Sequence, residues 1–143
     1  MKNKTSIIQT IRSFNRNYTK LIGLLDSHLL ASGYSLAEAR ILYEIHANMP
    51  ISASDIILQI DIDKGYLSKV LKRFETNGLI SKSASSADAR MSLLALTPTG
   101  NTVFNNLNAA SNQQVKQMIG KLTDEEQEKL RNNIEAISEL LFR

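Results

Sequence analysis

"SASDIILQIDIDKGYLSKVLKRFETNGLI", residues 52–80, reads as two short helices separated by a tight turn. Ser52 is placed as an N-cap, with Asp55 three residues on and Ile56, Ile57 and Ile60 giving an apolar side. Asp61-Ile62 interrupts this pattern, and Asp63 is a second N-cap. After it, Leu67, Val70, Leu71 and Phe74 recur at helical spacing and predict a buried stripe. Asn77-Gly78 stops the helix, because glycine adopts the left-handed conformation on which many helices end. Helices at Ser52–Ile60 and Lys64–Thr76, joined this closely, have helix-turn-helix spacing.

On the C-terminal side, Leu79–Lys82 predicts a strand and Met91–Leu96 its partner, with the polar loop Ser83–Arg90 between them. The short strands pin the base of a hairpin, and the loop is the tip of a wing. Thr97 followed by Pro98 restarts a helix, since proline suits the first helical position. Val103, Phe104, Leu107, Val115, Met118 and Ile119 continue its apolar stripe as far as Gly120. Thr123-Asp124-Glu125-Glu126 is a capping box that opens a last helix with Leu130, Ile134, Ile137, Leu140 and Leu141.

On the N-terminal side, Ile7, Ile11, Phe14, Tyr18, Leu21, Ile22, Leu25 and Leu29 predict a long helix from Ser6 to Leu30, ended near Gly33. A capping box, Ser35-Leu36-Ala37-Glu38, opens a largely buried helix that runs to about Asn48, where Pro50 blocks continuation. The fold class is therefore mainly α with a small β-hairpin wing. A winged helix-turn-helix at about residues 36–100 is flanked by dimerisation helices at about 5–32 and 98–143, all in one domain spanning 1–143.

Composition narrows the function. The chain has 143 residues, no cysteine and a net charge of +3. Without cysteine there are no disulfides, thiolate metal sites or thiol switches. No apolar run approaches the roughly 18 residues needed to span a membrane, and no signal peptide is evident, so a cytoplasmic location without membrane contact is expected. His28 and His46 are the only histidines and neither sits in a carboxylate cluster, so no metal or other cofactor is expected. No Ser/His/Asp arrangement, phosphate loop or carboxylate pair invites catalysis, and the chain is read as a non-enzyme. Tyr18, Tyr43 and Tyr66 are candidates to line an effector pocket, although tyrosines of amphipathic helices are commonly core.

The charge is unevenly spread. Residues 1–20 hold five bases and no acid; residues 64–82 hold five bases against Glu75 alone. Four of the second cluster lie on the second helix of the helix-turn-helix and Lys82 on the strand after it, which points to a polyanion. Lys64, Tyr66, Ser68, Lys69, Lys72 and Arg73 all fall off its apolar stripe. A major groove admits one helix, whose first turns need donors for base edges while flanking cations neutralise phosphates. Lys64, Tyr66, Ser68 and Lys69 suit the first role, Lys72 and Arg73 the second. On the wing, Arg90 suits a narrow minor groove, and Asp88 is expected to hold its guanidinium in a bidentate grip.

"YLSKVLKRFETNGLI…DARMSLLALTPTG" resembles the MarR family of winged-helix transcription regulators. The elements that carry the likeness are Leu67-Ser68-Lys69-Val70, Gly78-Leu79-Ile80, Asp88-Ala89-Arg90 and Leu96-Thr97-Pro98-Thr99-Gly100. The resemblance implies a homodimeric, sequence-specific binder of double-stranded DNA. It would act as a repressor on a pseudo-palindromic site and be released by a small phenolic or other anionic effector. The wing departs from the family pattern: Lys82 stands where arginine is common and Ser83–Ala87 carries no charge, which implies modest affinity. A narrower likeness, in "IRSFNRNYTKLIGLL", "SLAEARILYEI" and "DIDKGYLSKVLKRFE", is to the MarR-like domain fused to GNAT acetyltransferases. The alternative function is thus the DNA-binding or regulatory domain of a larger MarR–GNAT protein.

Dimerisation also follows from the residues themselves. Ile7 and Ile11 at one end, and Ile134, Ile137 and Leu141 at the other, exceed what the winged-helix core needs to cover. Apolar stripes of that size mark an interface.

Overall fold

The computed structural model of the chain describes residues 2–30 and 33–143, and the side chains of 3–21, 23 and 33–143. Ile22, Leu25, His28 and Leu29, named above, lie outside the described side chains. The elements run α1 (Lys2–Leu30), α2 (Leu36–Asn48), α3 (Ala53–Ile60), α4 (Lys64–Thr76), β1 (Ile80–Ala84), β2 (Ser92–Leu96), α5 (Pro98–Ile119) and α6 (Asp124–Leu141). This is the expected order, with α1 beginning at Lys2 rather than Ser6. The chain divides into two compact units, one through Ala109 and one from Ala110, the boundary falling within α5.

The first unit holds the winged helix. Its helices start where the caps predict: the hydroxyl of Ser35 accepts from the Glu38 amide at 3.1 Å, that of Ser52 from Asp55 at 3.1 Å, and the Asp63 carboxylate from Tyr66 at 2.8 Å. α4 ends on Gly78, whose φ is +74°. The Leu79 amide then reaches back to the Phe74 carbonyl at 2.8 Å and the Gly78 amide to Glu75 at 3.0 Å, the two bonds of a Schellman cap. Between α3 and α4, Asp61 takes φ +50°, a left-handed position more often given to glycine or asparagine.

The core is built from α2, α3, α4, the hairpin and the start of α5. Ile41, Leu42, Ile45, Ile56 and Phe74 are fully buried, with Leu67 and Leu94 almost so. Phe104 and Leu107 close the core from α5. β1 and β2 pair antiparallel, from Ile80 opposite Leu96 to Ala84 opposite Ser92. Ile51, just after the cis Met49-Pro50 bond, adds a one-residue bridge to Leu94 on the other side of β2. Both bonds of that bridge are present, at 3.0 and 2.7 Å.

The Leu96–Gly100 segment locks the hairpin to α5. The Thr97 hydroxyl donates to the Gly78 carbonyl and accepts from the Gly100 amide at 3.0 Å. The Thr97 amide donates to the Leu79 carbonyl at 3.0 Å. That same carbonyl lies where a Cβ on Gly100 would be, only 1.9 Å away. Glycine is therefore required at position 100 by close backbone approach.

α2 also carries a buried charge. Glu44 is only 5% exposed, yet Arg40 donates to it at 2.9 Å and the Asn48 amide at 3.2 Å. Pairing and hydrogen bonding are what make such burial tolerable. Tyr18 and Tyr43 are not core residues, contrary to the common pattern, and Tyr66 is exposed in keeping with its place off the α4 stripe. Tyr43 lies on the outer side of α2 with its ring 6.4 Å from Phe104, and His46 stacks on the same Phe104 at 4.1 Å. Along α1, Ile7, Ile8, Ile11 and Phe14 are about half exposed.

In the second unit, α6 is opened by the Thr123–Glu126 capping box. The Gln127 amide reaches back to the Ile119 carbonyl at 3.2 Å and so helps to cap the end of α5. No residue of α6 is buried, and Ile134, Ile137, Leu140 and Leu141 all face solvent in the single chain. Val115, Met118, Ile119, Leu130 and Ile134 line an apolar groove between α6 and the end of α5.

Candidate nucleic-acid interface

α4 buries Leu67, Val70, Leu71 and Phe74 and leaves the rest of its circumference open. Its first turn is clamped by Asp63, so Lys64 and Tyr66 leave the helix at its N-terminal end, where they can reach a groove floor. Ser68, Lys69 and Lys72 follow on the exposed side. Among the described residues, Lys64, Lys69 and Lys72 take part in no ion pair. Three neighbouring ammonium groups of this kind form a local positive surface suited to a phosphate backbone.

The remaining cation of α4 behaves differently. The Arg73 guanidinium meets the Glu38 carboxylate of α2 at 2.6 Å. Glu75, on the last turn of α4, meets Lys82 of β1 at 3.4 Å. Sequence alone gives Glu38 only a capping role and Arg73 a phosphate, because local spacing holds no signal for a contact between α2 and α4.

The wing tip is a sequence of small turns. The Ser85 hydroxyl accepts from the amides of Ala87 at 3.2 Å and Asp88 at 3.4 Å. Asp88 Oδ1 accepts from the Arg90 amide at 3.0 Å and from its Nε at 3.3 Å. The grip is thus not the bidentate fork expected: one oxygen serves both backbone and side chain. Asp88 shapes the turn as well as restraining the arginine. The Arg90 side chain is 93% exposed and projects into solvent. Among the described residues, no group of three or more His, Asp or Glu side chains is placed to hold a metal ion, and no helix is long and apolar enough to cross a membrane.

A helix with an open basic side, followed directly by a two-stranded wing with an extended arginine, is a recognisable pairing. Residues 34–92 match the MarR family model. The fold agrees over a greater length. The YusO protein of Bacillus subtilis superposes with a TM-score of 0.75 at 19% identity, covering 97% of each chain. A mutant of MarR from E. coli, solved in complex with operator DNA, superposes with a TM-score of 0.74 at 21% identity over 92% of this chain and 95% of its own. The winged-helix fold is thus the one these MarR-type structures share. Among curated proteins, the HTH-type transcriptional regulator YdgJ of Bacillus subtilis is 26% identical over 113 residues, 74% of this chain and 69% of its own length. Neither the MarR match nor these relatives favour the acetyltransferase-fused arrangement.

Proposed function

We propose that this protein is a MarR-type transcription regulator that binds double-stranded DNA as a homodimer and represses from a pseudo-palindromic site. The observation that carries the reading is the run of lysines on α4, Lys64, Lys69 and Lys72, which make no ion pair among the described residues, beside a wing that extends Arg90 into solvent. Lys64, Tyr66, Ser68 and Lys69 would read base edges in the major groove, Lys72 would neutralise a phosphate, and Arg90, braced by Asp88, would enter the adjacent minor groove. The operator complex of the E. coli MarR mutant supports the same use of the fold. Adjacent major grooves on one face of B-DNA recur about every 10 base pairs, so half-sites one turn apart suit a two-fold dimer. The reading includes release by a small phenolic or anionic effector, to be sought by screening compounds against the bound duplex.

Selection of duplexes from a random pool at stated salt tests this reading directly. Absence of any enriched, symmetric site would refute it. With a selected site in hand, Arg90→Ala should weaken binding by about 1–3 kcal/mol, with the greatest loss at A·T-rich flanks. Equal affinity of wild type and variant for the best site would remove the wing from the interface. Lys69→Ala should lower the slope of log affinity against log salt by about 0.9 if it meets a phosphate. If it meets a base, the preferred sequence should relax at one position instead. A variant that alters neither would show that this side of α4 does not face DNA.

A further inference from the structure

The four cations of α4 are not equivalent, and the difference has a geometric cause. Lys64, Lys69 and Lys72 make no ion pair among the described residues, whereas Arg73 is bound to Glu38 at 2.6 Å. The Glu38 side chain is only 14% exposed and that of Arg73 53%. This is a short, charge-assisted contact with one partner mostly withdrawn from water, unlike the freely solvated pairs that contribute little.

Glu38 has two bonds to make and makes both. Its Oε1 lies 3.5 Å from the Ser35 amide, completing the capping box at the start of α2, while its Oε2 holds Arg73. Close by in sequence, the ring of Tyr34 lies 6.5 Å from that of Phe74, the neighbour of Arg73 on α4. The segment leading into α2 and the first turn of α2 therefore meet two consecutive residues of α4, Tyr34 meeting Phe74 and Glu38 meeting Arg73. On the other side of α4, Glu75 is tied to Lys82 of β1.

We propose that Arg73 is not a phosphate ligand, and that Glu38 is a positioning residue that holds it and thereby sets the rotation of α4 about its own axis. Rotation matters because Lys64, Tyr66, Ser68 and Lys69 reach a groove only from one angular setting of the helix. A side chain that fixes this setting acts on affinity without adding a DNA contact. This inference rests on the DNA-binding reading above.

The test uses the full chain and a duplex selected by the wild type. Glu38→Gln retains the capping box, which accepts glutamine as well as glutamate, and removes only the ionic hold. Arg73→Gln removes it from the other side. Each should reduce affinity about three- to tenfold with the salt slope unchanged, and the double variant should bind no worse than the weaker single, since the two residues act through one contact. Circular dichroism and urea unfolding check that each variant is folded. A slope lowered by about 0.9 in Arg73→Gln would make Arg73 a phosphate ligand and overturn the proposal. So would a steeper slope and tighter binding in Glu38→Gln, which would show a masked phosphate ligand released. Additive losses or unchanged affinities would also overturn it. If the wild type itself shows no salt-dependent binding to any selected duplex, the DNA-binding reading fails first, and the positioning role with it.

Discussion

Gly100→Ala is expected to destabilise the winged helix by about 3 kcal/mol or more, although alanine is the better helix former. In an open helix the exchange would stabilise by about 1 kcal/mol. Here the new methyl would lie 1.9 Å from the Leu79 carbonyl oxygen and 2.9 Å from its carbon. Relieving that overlap needs a backbone shift of about 1 Å at the junction of α4, β1 and α5, where three hydrogen bonds of Thr97 fix the spacing. Overpacking at a rigid site typically costs more than the helix gains. Gly78→Ala is the reference: φ there is +74°, but no atom lies within 4 Å of the added Cβ, so only about 1 kcal/mol of conformational strain is expected. Urea unfolding of both variants at one temperature settles the order. A Gly100→Ala protein as stable as wild type would mean that the Leu79 backbone yields easily, and the lock between hairpin and α5 would have to be abandoned.

Ile137→Asp with Leu141→Asp should abolish tight operator binding while leaving the chain folded. In the single chain these residues are 47% and 68% exposed, and α6 has no buried residue, so the carboxylates would remain hydrated in a monomer. In the proposed dimer they would lie in an apolar seam, where an unpaired charge costs several kcal/mol. The variant should sediment as a monomer at micromolar concentration. Loss of the second half-site contact should then reduce affinity for the full site by about 100-fold or more, with little change on a half-site. An unaltered dimer with undiminished binding would place the interface elsewhere. Ile7 and Ile11 on α1, about half exposed, form the second apolar strip to examine in that event.

The parts of this fold that are legible in the sequence are those written by neighbours along the chain. Ser35 with Glu38 and Thr123 with Glu126 are capping boxes in the sequence and in the structure, and Asp63 and Gly78 bound α4 where their chemistry says they should. The apolar stripe of α4, and hence its open side, follows from the same local arithmetic. What escapes is decided across the fold. The bridge from Ile51 to Leu94, the burial of Glu44 and the hold of Glu38 on Arg73 each depend on a partner or an enclosure that no periodicity encodes. Tyr18 and Tyr43 depart from the common pattern for a related reason. Spacing tells that they lie near an apolar face, but not whether another element of the same chain covers that face. At the wing, Asp88 and Arg90 are visible as a pair, while the use of one carboxylate oxygen for both backbone and side chain depends on the turn geometry.

The one-residue bridge at Leu94 bears on how the protein survives crowding. A two-stranded hairpin has two raw edges, and each can template a strand from another molecule. Ile51 occupies both backbone groups of Leu94 at the middle of β2, so a foreign strand cannot run along that edge without displacing it. The other edge belongs to β1, where Ser81, Lys82 and Ser83 offer little apolar surface and a charge at the centre. Lys82 is held there by Glu75 at 3.4 Å, and a strand added along this edge would have to desolvate that charged pair. The wing is thus protected against self-association by a stray residue on one side and by its own charge on the other, leaving the tip free to meet a partner other than itself.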